Sequence, residues 1–453
     1  MNLIVYALFG LLFWTGACAE PELPVASPHQ TVGTVNCASS TCHGAITPWE
    51  KSSVLQNEYT TWLRLDRHSQ AYNVLLNEKS RNMAVALGLK QPASQSSLCL
   101  NCHTHNPPVT LRGERFVATE GVGCEACHGP AEQWIASHTA QGATHEDNVA
   151  RGLYPTDRSV ERARLCLSCH FGDDSRFVTH RMIAAGHPRL SFELGTFSVL
   201  APAHYKTDVN GPRRKGDADA LQAWAIGQAV ASEQLLTVFA NPKQGRDGLF
   251  PELALFDCNA CHHRMSEKNY SPRLGLGPGR IHLNDSNLLM LRAIIALIDP
   301  AGSGAFNNQV SALHVAISSN ASDQETVGLA RTLSATIHRY LLQLEQGPVG
   351  LAESGPLLQS LINEAGADNY TDYADAEQAY MSISSLTAML NHRSGLKNVA
   401  EINRHLALMR SALADQERYK PATFRLALAG LRAAMPGQEA GTEPDGRRNA
   451  NGR

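Results

Sequence analysis

The chain has 453 residues, with 39 Lys and Arg against 42 Asp and Glu and a formal net charge of −3. A length of this order predicts about two domains, and the near-balanced charge gives no basis for nucleic-acid binding. Eleven cysteines set the chain apart from an ordinary cytosolic protein.

Leu3 to Trp14 is almost wholly apolar. The run is too short to span a bilayer but fits the core of a signal peptide, and Ala17-Cys18-Ala19 supplies small residues where a signal peptidase reads. Residues 1–19 are therefore expected to be a signal peptide cleaved after Ala19. Two features sit less well with this: the n-region lacks Lys or Arg, and Thr15-Gly16-Ala17-Cys18 loosely resembles a lipobox. The alternative is a lipoprotein anchored at Cys18, although Thr15 stands where Leu is usual. Both readings imply export, to a periplasmic or extracellular location. No later apolar stretch is long enough for a membrane span.

Five cysteine–histidine signatures follow, ending in Cys37…Cys42-His43, Cys99…Cys102-His103, Cys124…Cys127-His128, Cys166…Cys169-His170 and Cys258…Cys261-His262. Four are C-x-x-C-H, the attachment sequence for c-type haem; the first has four residues between its cysteines. In such a motif two thiols form thioethers with the haem vinyl groups, and the histidine turns back onto the iron. Five covalently bound haem c groups are predicted, attached at those ten cysteines with His43, His103, His128, His170 and His262 as proximal ligands. The motifs use ten of the eleven cysteines and leave only Cys18. Zinc sites would pair Cys-x-x-Cys units or add spaced histidines, with no need for His after every second Cys. A disulfide or an unused pair stays open at Cys37 and Cys42.

The segment 20–283 is rich in Gly, Pro and short polar runs. It would bury little core alone, whereas five porphyrins would offer apolar surface to wrap. Short helices are expected at each motif, since Cys, Cys and His at i, i+3, i+4 share a helical face. A longer helix is expected over Leu221–Ala240.

The distal side of each iron separates carrier from enzyme: two protein ligands saturate the metal, and an open side can bind substrate. His68, His138, His180, His187 and His204 lie in contexts suited to distal ligation. His105, His145, His263, His282 and His29 read as structural, with the note that His29, on an N-terminal arm, could reach a neighbouring subunit. Met182 and Met265 read as packing residues.

Residues 284–436 hold no cysteine and read as an all-α domain. Helices are expected over Asn287–Ile298, Ser322–Leu344 with a Ser322-x-x-Glu325 capping box, Tyr373–Leu390, Val399–Ala414 and Ala422–Met435. His314, His338, His392 and His405 read as surface or core histidines. A docking or homo-oligomer role is one reading of this domain. Residues 437–453 read as a disordered tail.

Two stretches resemble a known family. They are Gly121-Val122-Gly123-Cys124-Glu125-Ala126-Cys127-His128-Gly129-Pro130-Ala131, and Cys166-Leu167-Ser168-Cys169-His170 followed by His180 and Gly186-His187-Pro188-Arg189-Leu190. With Trp62 to His68, they are similar to multihaem cytochromes typified by cytochrome c-554 of ammonia oxidisers. The resemblance covers about residues 30 to 265. It implies a mainly α multihaem cytochrome c fold, haems in packed parallel and perpendicular pairs, and bis-His ligation with His68, His138, His180 and His187 as distal ligands. The chain departs from the tetrahaem type in its fifth motif, its stretched first motif and its helical C-terminal part. Relatives of this packing that reduce nitrite or tetrathionate use Lys as the proximal ligand of the catalytic haem; here every motif ends in His. The expected function is single-electron transfer between redox protein partners. The competing reading is an oxidoreductase with one open haem, at the first or fifth motif, acting on a small nitrogen or sulfur compound.

Overall fold

The computed structural model describes residues 21–52, 54–205, 220–248, 250–262, 281–347, 354–364 and 369–435. The expected signal peptide with Cys18, His263, Met265 and the expected tail from Gly437 lie outside the described residues. The fold is mainly helical; among the described residues the strands are one two-residue hairpin, β1 (Arg246–Asp247) with β2 (Phe250–Pro251).

The first half is a string of short helices between turns: α1 (Glu58–Leu65), α2 (Glu78–Ala86), α3 (Ser97–His103), α4 (Cys124–His128), α5 (His145–Val149), α6 (Ser159–His170), α7 (His180–Ala184) and α8 (Leu194–Leu200). Polar side chains start several of them by accepting from backbone N–H groups of the first turn. Asn77 does so for α2, Thr144 for α5 in a full capping box, Thr179 for α7 and Glu193 for α8. This half has little core of its own: Leu75, Ala84 and Ala93 form one small cluster, while Ile46, Leu65 and Val85 are exposed.

Three motifs end helices α3, α4 and α6, as expected. The first and fifth do not form α-helix. Cys37 to His43 is a turn closed by His43 N–H to Cys37 O at 3.2 Å, and the fifth opens with a 3₁₀ turn over Cys258–Ala260. In the first motif the two extra residues break the i, i+3, i+4 spacing that would place all three groups on one face.

The second half is built around α9 (Ala220–Ala240), followed by α10 (Ser286–Ile298), α11 (Pro300–Ser318), α12 (Asp323–Gln346), α13 (Ser354–Glu364), α14 (Tyr373–Ser394), α15 (Val399–Ala412) and α16 (Pro421–Ala434). Helix α9 is apolar on every side, the mark of a helix surrounded by protein. Trp224, Ile226, Val230, Leu236 and Val238 are all buried, and α9 packs against α6, α10 and α12. Trp224 donates its indole N–H to Ser382 Oγ on α14 at 3.1 Å. A Cβ at Gly227 would lie 2.8 Å from Leu194 Cβ, so only glycine allows α8 to sit this close.

One continuous core runs from Val160 and Leu167 on α6 through α9 to Leu428 and Leu431 on α16. Helix α9 precedes the fifth motif in sequence yet lies inside this core. Helix α12 begins at the expected cap, with Ser322 Oγ accepting from Glu325 N–H at 3.3 Å. Helices α11 and α13 were not expected. Among the described residues no helix is long and apolar enough to cross a membrane.

Candidate haem centres

Each motif histidine faces a second histidine drawn from elsewhere in the chain. His43 faces His138 with ring centres 6.3 Å apart, His68 faces His170 at 6.0 Å, and His103 faces His187 at 6.4 Å. His128 faces His204 at 6.3 Å, and His180 faces His262 at 6.2 Å. These are not stacking contacts; the separations are too wide for that. Two imidazoles on one metal, each nitrogen about 2 Å from it and each ring centre about 1 Å further, stand about 6 Å apart. All five pairs have that spacing, so these residues fit an iron held between two imidazoles.

The ring nitrogens are oriented for the same purpose. His103 Nδ1 lies 2.9 Å from Ala71 O, His138 Nδ1 2.7 Å from Ile135 O, and His187 Nδ1 2.8 Å from Pro188 O. A carbonyl can only accept, so each Nδ1 carries the proton and Nε2 keeps its lone pair for a metal. His43 Nδ1 is 3.0 Å from Glu58 Oε2, and His68 Nδ1 is 2.9 Å from Asp66 Oδ1. Burial opposes ionisation of both carboxyls, yet hydrogen bonds from these imidazoles and from nearby N–H groups hold each below the usual carboxylate range. Desolvation, with a smaller push from the charge of His68, lowers His170 to about 4. The imidazole is thus neutral, as a metal ligand must be.

Supports for the distal histidines come from separate places. His68 follows Asp66, whose carboxylate also accepts the His68 N–H at 2.9 Å. His180 opens α7, and its N–H donates to buried Glu252 at 2.7 Å. His187 follows the other end of that helix, where Gly186 takes φ +112° and turns the chain away. His204 lies in the loop after α8, and His138 in a 3₁₀ turn beside Trp134.

The motifs are neighbours in space, in an order that differs from the sequence. The thiols of Cys37 and Cys124 lie close enough to influence each other, as do those of Cys102 and Cys169. Cys127 lies close to Cys166 and Cys169. Motif 1 therefore lies against motif 3, motif 3 against motif 4, and motif 4 against motif 2. Motif 2's facing histidine, His187, lies just beyond the C-terminal end of α7, whose first residue, His180, faces motif 5. The row reads 1–3–4–2–5. No disulfide joins any of the ten motif cysteines.

Several side chains anchor the motifs, and Arg176 among them gave no sequence signal. Arg176 donates to Asn101 O at 2.6 Å and to Ser168 Oγ at 2.9 Å, tying motif 2 to motif 4. Glu125, inside motif 3 and 3 % exposed, accepts from the N–H groups of Val32, Gly33 and Ala131 at 2.7–2.9 Å, which fixes the N-terminal arm. Trp62 donates to Val122 O at 3.0 Å. The histidines read as structural have local roles. His105 pairs with Thr31 Oγ1 at 3.0 Å, His145 with Asp157 at 3.0 Å, and His338 with Glu233 at 3.0 Å. His29 lies over Gly152 of its own chain. Met182 is buried in the haem-motif region.

Residues 36–129 match the family described as cytochrome c554 and c-prime. The matched segment begins just before Cys37, ends just after His128 and so contains the first three motifs; the fourth and fifth lie beyond it. No curated protein and no solved structure matches the chain. Residues 36–129, set in a mainly helical fold, are thus similar to cytochrome c554 and c-prime, a likeness that supports a c-type cytochrome with covalently bound haem.

Proposed function

We propose that this protein is an exported electron carrier with five bis-histidine haem c groups, passing single electrons between redox protein partners. The observation that carries the reading is the facing of every motif histidine by a second histidine at 6.0–6.4 Å. When bound, each haem supplies a one-electron iron couple. The chain's own residues do the rest: thioether cysteines fix position, paired imidazoles occupy both axial sites, and Nδ1 hydrogen bonds set ring orientation. The row 1–3–4–2–5 gives a path with motif 1 and motif 5 at its ends, where partners would dock. Export is supported by the signal-like start and by the chemistry of haem c attachment outside the cytoplasm.

An oxidoreductase with an open iron would need a motif histidine that faces no second histidine, and all five face one. The test is low-temperature EPR of the fully oxidised protein with a pyridine haemochrome count on the same sample. Five haems, all low-spin, are expected. A high-spin signal from about one haem, altered by nitric oxide or hydroxylamine, would reverse the reading. A count of four would remove the stretched motif from the set. His180→Ala should convert one centre to high spin and leave the other four unchanged.

A further inference from the structure

Charge is unevenly divided along this chain. Residues 393–435, which form the α15–α16 hairpin, hold eight Lys and Arg against three Asp and Glu, which leaves 31 against 39 in the remainder. We propose that this hairpin is the docking surface for an acidic redox protein that exchanges electrons at motif 5. The proposal rests on the carrier reading above and names the chemistry of one of its partners.

The hairpin is tied to the surroundings of motif 5. Asn398 Nδ2 donates to Ala434 O at 3.4 Å, which joins the start of α15 to the end of α16. A Cβ at Gly430 would lie 2.0 Å from the His405 ring, so the two helices pack closely. The connector between them rests on the first turns of α14. Tyr373 donates its hydroxyl to Leu413 O at 3.0 Å and meets Tyr419 edge-on, with ring centres 5.7 Å apart. Asp372, just before Tyr373, lies 2.8 Å from His282 Nε2. The carbonyl of His282 accepts from Asp257 N–H at 3.1 Å, directly before Cys258. A second strut comes from Arg189, two residues after His187. It pairs with Glu377 on α14, donates to Gln416 Oε1 at 3.4 Å and lies 5.4 Å over the Tyr373 ring.

The surplus charge faces water. Arg404 pairs with Glu401 and Arg418 with Asp415, which leaves Glu417 as the remaining acid of the hairpin. Against it stand Arg393, Lys397, Arg410, Lys420 and Arg432, all exposed and without an ion-pair partner among the described residues. Solvated cations cost the fold little, but their field reaches about a Debye length, about 10 Å at 0.1 M salt. It draws an anionic protein in and turns a cationic one away. Leu408 and Leu426, exposed on the two helices, add the apolar contact that interfaces use beside charge. A protein fits better than a lipid surface because motif 5 ends the haem row, and an electron leaving there needs an acceptor in the same encounter.

The test is stopped-flow electron transfer from the reduced haem-loaded protein to two oxidised acceptors, plastocyanin, which is acidic, and mitochondrial cytochrome c, which is basic. In each encounter one ferrous haem becomes ferric as the acceptor's copper or iron gains the electron. The rate with plastocyanin should fall about tenfold or more between about 10 mM and about 200 mM salt, and the rate with cytochrome c should not fall. Arg410→Glu combined with Lys420→Glu should lower the low-salt rate with plastocyanin about tenfold. Lys51→Glu combined with Arg151→Glu, the same change of net charge placed elsewhere, should leave it near the native value. Equal losses in the two double variants would overturn the proposal, as would a salt-independent rate with plastocyanin. So would binding of phosphatidylglycerol vesicles that depends on Arg410 and Lys420 while the plastocyanin rate does not. In each of these cases transfer to the acceptors with five low-spin haems leaves the carrier reading standing. No transfer to either acceptor would overturn that reading and the docking site with it. Should a variant not fold, the salt dependence of the native protein with the two acceptors decides.

Discussion

Two of the five histidine pairs rest on a carboxylate where others rest on a carbonyl, and this difference has an electronic consequence. Glu58 behind His43 and Asp66 behind His68 pull the Nδ1 proton harder than the carbonyls of Ala71, Ile135 or Pro188. The more basic imidazole favours the ferric state, so the centres at motifs 1 and 4 should have the lower potentials. Glu58→Gln should raise the potential of the motif 1 centre by some tens of millivolts, read by EPR-monitored redox titration. An unchanged potential would mean the hydrogen bond carries no such influence. His105 gives a pH effect of defined sign. Desolvation, helped by the charges of Arg176 and Arg112, lowers its folded value to about 4, against about 6.5 when unfolded. As pH falls, the unfolded chain takes up this proton first, so stability is lost between about 6.5 and 4, at about 1.4 kcal/mol per unit and up to about 3 kcal/mol in all. His105→Gln should destabilise at neutral pH and converge with the native protein near pH 5 in urea unfolding. The motif residues were readable because covalent attachment demands their spacing. Glu58 and Arg176 were not, because their partners are set by the folded chain and carry no spacing rule.

The helices show which elements local sequence specifies. Ser322 and the apolar spacing after it predicted α12, and Ala330, Leu333, Ile337, Leu341 and Leu344 form its buried face. Helix α11 opens Pro300-Ala301-Gly302-Ser303-Gly304, which reads as a loop; its helix is held by packing of Phe306, Val310 and Leu313 and by Asp299 capping Gly302 N–H at 2.9 Å. Ser354-Gly355-Pro356 hid α13 in the same way. The contact of α8 with α9 depends on one glycine and one buried acid. Glu193, 1 % exposed, accepts from Gly195 and Thr196 N–H groups and from Ser385 Oγ on α14. Gly227→Val should force Leu194 aside and cost about 1–3 kcal/mol, measured by thermal denaturation followed by circular dichroism. A change within error would show that α8 can shift without cost.

The whole molecule is unevenly stabilised. Its apolar core lies in α6, α9 and the helices after them, while residues 21 to about 158 contribute one small cluster. Chain made without haem should therefore keep the helical part and lose the rest. Limited proteolysis of haem-free protein should leave a protected fragment starting at or after Ser159; protection of the N-terminal half would contradict this. The fold class could be read from composition and periodicity, since it depends on local patterns. The row 1–3–4–2–5 could not, because it depends on which distant histidines meet.

Those meetings are interleaved along the chain. His43 with His138 spans the second and third motifs; His68 with His170 and His103 with His187 each reach across the pair before them; His128 with His204 overlaps His180 with His262. With iron joining each pair, the polypeptide is stitched like overlapping links, and a single cut in the loop around Gly142 would still leave three links bridging the two pieces. A nicked molecule would migrate as one particle until its iron bonds were broken.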